Sequence, residues 1–429
     1  VDCIVSLSSA AAADPARVGP KAAGQAALLR AGLPVPESFC LAAEAYRAQL
    51  AALGLEDTAR EVFSADDATA RRAALRLRMQ LMERPLASAV QAPLLAAWRE
   101  LAGDDPRPVA VRSSALVEDR AGSSFAGQFE SFLGIDNEAD FLTAVRACWA
   151  ALWAPRALRY MAAHGLDPAD TAMAVLVQPL VAARAAGGGL SRAAEGGMLI
   201  NATSGLGSAI AQGEVAPDRY ELNRDGTLRE GHAGLEYHQA GCAHFPRLSR
   251  PRAKQRLCLT RAQAEELGRL MLGAEAVMGL PVEIEWALDD AGFKLLQARP
   301  LSLDERPAPV PDPAWQRQPR LRGQPAGVGW GTGRACVVNC ECEISRIAPG
   351  DVLVTRMAGP ALARVLSIVS GVVSELGGST SHLASLARER CIPTVLGVPG
   401  ATLQIPDGSQ VAVDGVAGIV RWMANRQAK

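Results

Sequence analysis

Five prolines fall between Pro307 and Pro319, inside the stretch LDERPAPVPDPAWQRQPRLRGQ (303–324), which has almost no apolar periodicity. A segment like this stays extended and cannot continue a helix or a central strand. It splits the 429-residue chain into a long part, 1–302, and a shorter part, 325–429. At roughly 150 residues per domain, the length suits about three domains or lobes.

Composition is needed mainly for what it excludes. A hydrophobic fraction of 49% with 21% charged residues describes a globular, core-forming chain rather than a disordered one. Basic and acidic residues balance, 44 against 45, which argues against a surface devoted to nucleic acid. The longest apolar run, around Ala172–Ala183, contains Gln178 and Pro179. It falls short of the ~20 residues a spanning helix needs, so no membrane segment is expected. The first residues, VDCIVSLSS, lack the basic flank of a secretory signal. Nine cysteines, an odd count, do not form a disulfide framework, and a reducing cytoplasm is the expected location. Cys336, Cys340 and Cys342 follow C-x3-C-x-C, which is not a zinc spacing, so they read as strand or turn cysteines.

Periodicity predicts helices over Ala22–Arg30, Ala42–Leu50, much of 56–103, 138–164 and 260–279. PVAVRSS (108–114) reads as a strand ending in a polar turn, and AMAVLVQPLV (172–181) as a buried strand. Gly187–Gly189 read as a loop, GMLINATSGLG (197–207) as a strand entering a glycine turn, and 215–240 as a polar meander. PVEIEWALDD (281–290) and FKLLQARPL (293–301) read as a hairpin joined at Asp289–Gly292. Residues 325–425 alternate short strands and helices, as a compact α/β domain does.

Three places carry chemistry. On the hairpin, Glu283 and Glu285 share one strand face, and Gln297 and Arg299 share a face of the partner strand. Carboxylates, an amide oxygen and a guanidinium suit Mg2+ and polyphosphate, and equally suit the solvated face of an edge hairpin. Lys21 follows Gly19–Pro20 and opens a helix, where an anion is favoured. It stands out because lysine is otherwise confined to Lys254, Lys294 and Lys429. Arg112 ends a strand, and Ser131 lies just past the FAGQ turn. In ELGGSTSHLASLARERCIPTVLG (375–397), Ser379, Thr380 and Ser381 are candidate caps for a helix starting near His382. An exposed imidazole at a helix N-terminus suits a nucleophile, or simply a capping residue.

Taken in order, four stretches resemble the pyruvate phosphate dikinase, phosphoenolpyruvate synthase and rifampin phosphotransferase group. VGPKAAGQAALLRAGLPVPESFCLAAEAYR is similar to the start of its nucleotide domain, and VAVRSSALVEDRAGSSFAGQFESFLGI to its arginine-and-lid segment. IEWALDDAGFKLLQARPL is similar to its metal and phosphate hairpin, and GGSTSHLASLARERCIPTVLG to its phosphohistidine motif. The resemblance covers about residues 18–301 and 325–422. It implies an α/β and α+β multidomain chain, with an ATP-grasp-like nucleotide-binding domain followed by a swivelling α/β phosphohistidine domain. The implied boundaries are an N-terminal lobe at 1–190, a C-terminal ATP-grasp lobe at 191–302, the linker at 303–324, and the histidine domain at 325–429.

Residue by residue, the resemblance implies that Lys21 and Arg112 contact ATP phosphates and that Ser131 stands at the lid threonine position. It implies that Gln178 begins the segment beside adenine, and that Arg299 holds a phosphate. Glu283 stands at the acidic position, Glu285 and Gln297 hold Mg2+, and His382 accepts the phosphoryl group. Pro20 replaces a usual glycine, Ser208 a usual acidic residue, and Leu383 and Ser385 a usual Ala and Ile. The group's large acceptor domain is not evident in these residues. The expected activity is a dikinase-type transfer from ATP through His382 to a small-molecule acceptor, with AMP and phosphate as by-products. Two alternatives stay open: a split system whose acceptor site lies on a partner protein, and an ATP-dependent ligase or dehydratase that activates its substrate by phosphorylation.

Overall fold

The computed structural model describes residues 3–64, 66–103, 107–118, 129, 131–166, 172–193, 196–236, 252–253, 256–301, 313–339, 341–357 and 359–423. They fall into two compact units. The first is Val1–Ala182 with Lys294–Arg299, and the second is Ala183–Phe293 with Pro300–Lys429.

The first unit holds a five-stranded antiparallel sheet in the order Ile4–Ser6, Phe39–Leu41, Met173–Pro179, Val109–Ala115, Ser131–Ile135. The middle strand carries the continuous apolar run MAVLVQ and is buried along it, as expected of a strand covered on both faces. The helix Pro15–Arg30 lays Val18, Ala22 and Ala26 onto Cys40, Ala174 and Leu176. Its alanines let helix and sheet approach closely. Helices Glu56–Ser64, Asp67–Glu83 and Ser88–Ala102 occupy the stretch where periodicity predicts them. Trp149, fully buried on the helix Glu138–Ala151, donates its indole N–H to Met173 O at 3.1 Å. That bond ties the helix to the middle strand.

Among the described residues the second unit contains two large sheets and a two-stranded one that pairs Leu235–Glu236 with Arg252–Ala253. Of the large ones, one has six strands in the order Gly292–Pro300, Val282–Asp289, Ala185–Leu190, Met198–Ser204, Asp218–Leu222, Leu228–His232, and Lys294–Arg299 of its edge strand count with the first unit. The expected loop at Gly187–Gly189 is instead part of the strand Ala185–Leu190. Its glycines serve close approach rather than turning. A Cβ on Gly187 would collide with Asn201 O, on Gly188 with Thr380, and on Gly189 with Met271. Met271 belongs to the helix Arg261–Met278, which opens with a Thr260–Gln263 capping box and stops at left-handed Gly279.

The other sheet has eight strands in the order Arg320–Arg322, Ile419–Met423, Gln410–Asp414, Trp330–Val338, Val352–Thr355, Gly371–Ser374, Thr394–Leu396, Gln324–Pro325. The run from Trp330–Val338 to Thr394–Leu396 is parallel, and valines dominate its core. Residues expected in the linker are drawn into this sheet. Arg320–Arg322 pairs with Ile419–Met423, and Gln324–Pro325 pairs with Thr394–Leu396. Pro325 is tolerated because its strand lies at the sheet's edge. Pro307, Pro309 and Pro311 lie outside the described residues. Cys336 is buried on the strand Trp330–Val338 and Cys342 is exposed in the short helix Glu341–Arg346, while Cys340 lies outside the described residues. No group of three or more metal-binding side chains occurs among the described residues, and no described helix is long and apolar enough to cross a membrane.

The observed division differs from the expected boundaries. Ala185–Leu190 belongs with the second unit because it pairs with both Val282–Asp289 and Met198–Ser204. Residues 183–293 share one unit with residues 325–423, and a polar seam of Glu283, Asn201 and Val215 against the segment around His382 joins them.

Candidate functional site

In the first unit the site is built on Gly19. Its φ of 74° breaks the helix Pro15–Arg30, and Pro20 then opens the continuing helix, where its missing N–H costs nothing. A Cβ on Gly19 would collide with the carbonyl and hydroxyl oxygens of Ser114. Glycine therefore lets the helix start rest on the strand Val109–Ala115, and Lys21 reaches the end of that strand. Lys21 Nζ donates to Ser113 O at 3.1 Å and to Glu118 Oε1 at 2.8 Å, while Glu118 Oε2 accepts from Ala115 N–H at 2.9 Å. Glu118 is almost wholly buried, so this ion pair fixes the lysine.

Register then gathers the other expected residues of this unit. Arg112 lies opposite Ser131, and Ala110 opposite Gln178. Opposed and alternate residues share a face, so Arg112, Ser131 and Gln178 lie on one face of the sheet. Leu176, opposite Arg112, packs under the lysine-bearing helix, which assigns that helix to the same face. Gln178 is 2% exposed, and its Nε2 has no partner among the described residues. Leaving such a donor unpaired costs about 1–3 kcal/mol, which a ligand acceptor would recover. Gln297 is buried and Arg299 half-buried on the strand Gly292–Pro300, two residues apart and so on one face. Most of the expected lid, 119–128, lies outside the described residues.

In the second unit the strand Gly371–Ser374 leads through 375–381 to the helix His382–Glu389 and on to the parallel strand Thr394–Leu396. His382 is thus the first helical residue, beyond the carboxyl end of a parallel strand, where open α/β sheets place their ligands. Ser381 is the cap and accepts from Ala384 N–H at 3.3 Å. His382 is half-buried rather than exposed, because its loop is seated on the six-stranded sheet. Gly377 N–H donates to Val215 O at 2.9 Å, Thr380 Oγ1 bonds Asn201 Oδ1 at 3.3 Å, and Asn201 Nδ2 donates to Gln324 Oε1 at 3.0 Å.

Glu283 meets the histidine helix directly. Its carboxylate accepts from Ser385 Oγ at 3.0 and 3.1 Å and from Arg388 Nη2 at 2.8 Å. Arg388 Nη1 also donates to Ser379 O at 2.6 Å, tying the loop before the histidine to the same ion pair. Glu285 lies opposite Gly188 and shares Glu283's face, the face on which Thr380 sits. Glu285 and Gln297 offer a carboxylate and an amide oxygen, both hard donors. Oxygens of this kind are what Mg2+ takes, with water and substrate phosphates completing its shell.

Sequence reasoning did not single out Glu118, Arg388 or Asn201, and it marked Ser385 only as a departure from the group and Gly188 only as part of a loop. A signal existed for Ser385, a hydroxyl where the group has Ile, and for Glu118, in the acidic loop after Arg112.

Residues 15–317 match the family described as pyruvate phosphate dikinase, AMP/ATP-binding domain, and residues 347–418 match the PEP-utilising enzyme, mobile domain. The chain is 31% identical to a phosphoenolpyruvate synthase of Aeropyrum pernix over 462 residues, covering 94% of this chain and 56% of that protein. It is 29% identical to the Pyrococcus furiosus enzyme of that name, with the same two coverages, and 30% identical to that of Pseudomonas aeruginosa, covering 97% and 57%. The chain thus spans a little over half the length of these relatives. With the nucleotide-domain match running over most of the chain and the mobile-domain match following it in order, the chain belongs to the pyruvate phosphate dikinase and phosphoenolpyruvate synthase family.

Proposed function

We propose that this chain is an ATP-dependent, dikinase-type phosphotransferase that loads His382. The observation that carries this reading is the seating of the histidine loop on the sheet face that bears Glu283 and Glu285. An imidazole nitrogen of His382 attacks the β-phosphorus. The N–P bond forms as the bond to the α,β-bridging oxygen breaks, and AMP leaves with that electron pair. Water then cleaves the β–γ anhydride and releases phosphate, leaving phosphohistidine. Lys21, Arg112 and Arg299 neutralise phosphate charge, so the protein's work is positioning and electrostatics. Gln178 offers its amide N–H, without a partner among the described residues, to the base. Mg2+, held by Glu285 and Gln297, would supply charge neutralisation on the phosphates.

The phosphoryl group then passes to a small-molecule acceptor, held by this chain or by a partner protein. The relatives are named for phosphoenolpyruvate synthesis, and an acceptor of the pyruvate class is the first to try. The test of loading uses ATP labelled at the β or γ position, with Mg2+, on wild type and His382→Ala. Acid-labile, base-stable label from the β position that vanishes in the variant is expected. Nucleotide binding without label on the protein would overturn the reading for this chain.

A further inference from the structure

Gly188 sits in the middle of a strand, where glycine weakens pairing and offers no side chain to pack. Its presence needs a reason, and the reason lies outside its own sheet. A Cβ on Gly188 would stand 2.6 Å from Thr380 Cβ and 2.8 Å from Thr380 Oγ1. Real Cβ atoms do not approach that closely, so the glycine is a socket for the threonine side chain. One strand over, opposite Gly188, Asn201 receives the Thr380 hydroxyl. Asn201 is fully buried, and its other amide atom bonds Gln324. Gln324 Oε1 in turn accepts from Ser379 N–H at 3.3 Å. Gly378 continues the pattern, since a Cβ there would stand 2.7 Å from Pro217 and 2.8 Å from Asn201 Oδ1.

We infer that Gly188 and Asn201 form a receptor for Thr380 that sets the position of His382 while it is loaded, so these three are positioning residues for the transfer. The inference rests on the proposed loading of His382 and adds to it a specific docking element. Thr380 is two residues before His382, so a displacement at the socket is carried almost undiminished to the imidazole. The second contact, Glu283 with Ser385 and Arg388, lies on the helix beyond the histidine. His382 is therefore held from both sides in sequence. In-line attack tolerates little misplacement, and about 1 Å costs on the order of 10²-fold in rate.

The test uses the full chain with three variants: Gly188→Ala, Thr380→Val, and Gly188→Ala with Thr380→Gly. Two readouts are taken: the single-turnover rate of β-label appearing on His382, and nucleotide affinity by calorimetry. A third, without nucleotide, is amide hydrogen exchange at Gly377, whose N–H crosses the seam to Val215. Gly188→Ala is expected to slow labelling by roughly 10²-fold, leave ATP affinity unchanged, and speed exchange at Gly377. The double variant, which empties the socket as it fills it, removes the clash but not the loss of the Thr380 hydroxyl, so labelling recovers from the Gly188→Ala rate toward that of Thr380→Val, and exchange at Gly377 slows again. Thr380→Val keeps the shape and loses the bond to Asn201. It slows labelling by about tenfold without threatening the fold, and alone decides the matter if Gly188→Ala is insoluble. Labelling at the wild-type rate in Gly188→Ala or, failing that protein, in Thr380→Val overturns the inference. If wild type takes no label, the loading reading falls, and exchange at Gly377 then decides the socket alone: unchanged protection in Gly188→Ala or, failing that protein, in Thr380→Val removes it.

Discussion

Arg388 donates to Glu283 at 2.8 Å, and the two side chains are 8% and 7% exposed. The pair joins the histidine helix to the strand Val282–Asp289, and it brings Ser379 and Ser385 into one buried network. Removing one member of such a pair strands a buried charge. Arg388→Met is therefore expected to destabilise the second unit by about 3–5 kcal/mol, read by chemical denaturation. Adding Glu283→Gln removes the stranded charge and should recover a good part of that loss. Equal stability of wild type and Arg388→Met would show that the pair carries no net energy.

A second pair sets a pH dependence. Arg224 donates two hydrogen bonds to Glu275, at 2.6 and 3.0 Å, and these hold its carboxyl below the usual carboxylate range despite partial burial. A carboxyl lowered in the folded state adds stability above its unfolded pKa, and that stability is lost as pH falls through the folded pKa. Wild type should exceed Glu275→Gln in Tm at neutral pH, and the gap should close in acid. A gap that is constant with pH would mean the contact acts through packing alone.

How much of this was legible in the sequence depends on how far apart the interacting residues lie. The helices around 56–103 and 260–279, the strand at Met173–Pro179 and the Glu283–Arg299 hairpin follow from periodicity and turn chemistry within short windows. Lys21, Arg112 and His382 stand in motifs that can be read one at a time. Gly187–Gly189 could not be read correctly, because glycine marks a turn and a close approach with the same letter. Only Asn201, Thr380 and Met271, distant in sequence, tell the two apart. The edge strand at Gln324–Pro325 was hidden by its proline-rich neighbours. Arg388 is a cation in the last turn of a helix, a place where such residues are common. Its role is set by Glu283, a residue on another sheet.

Gln25 lies one turn beyond Lys21 and is fully buried, and neither of its amide atoms has a partner among the described residues. A buried polar group left unsatisfied costs about 1–3 kcal/mol, and leucine has a similar volume. Gln25→Leu should raise the stability of the first unit by an amount in that range, measured by urea denaturation. A loss of stability would mean that the amide is satisfied in solution, by a bound water held between the helix and the sheet.

Gly19 offers the sharpest test of the lysine's placement. Alanine there meets two obstacles: a φ of 74°, which L-residues rarely adopt, and the backbone and hydroxyl oxygens of Ser114. Backbone cannot yield as a flexible side chain can, so the helix start must lift from the strand. Lys21 then leaves Ser113 and Glu118. Gly19→Ala should weaken ATP binding at least about tenfold, because an ion pair and a phosphate contact are worth more than the ~1.4 kcal/mol that this factor represents. The seam around His382 should be untouched, since its contacts lie within the second unit. Calorimetry of ATP binding, alongside hydrogen exchange at Gly377, separates the two effects. Unchanged ATP affinity with a native exchange pattern would show that Lys21 does not reach the nucleotide from this position.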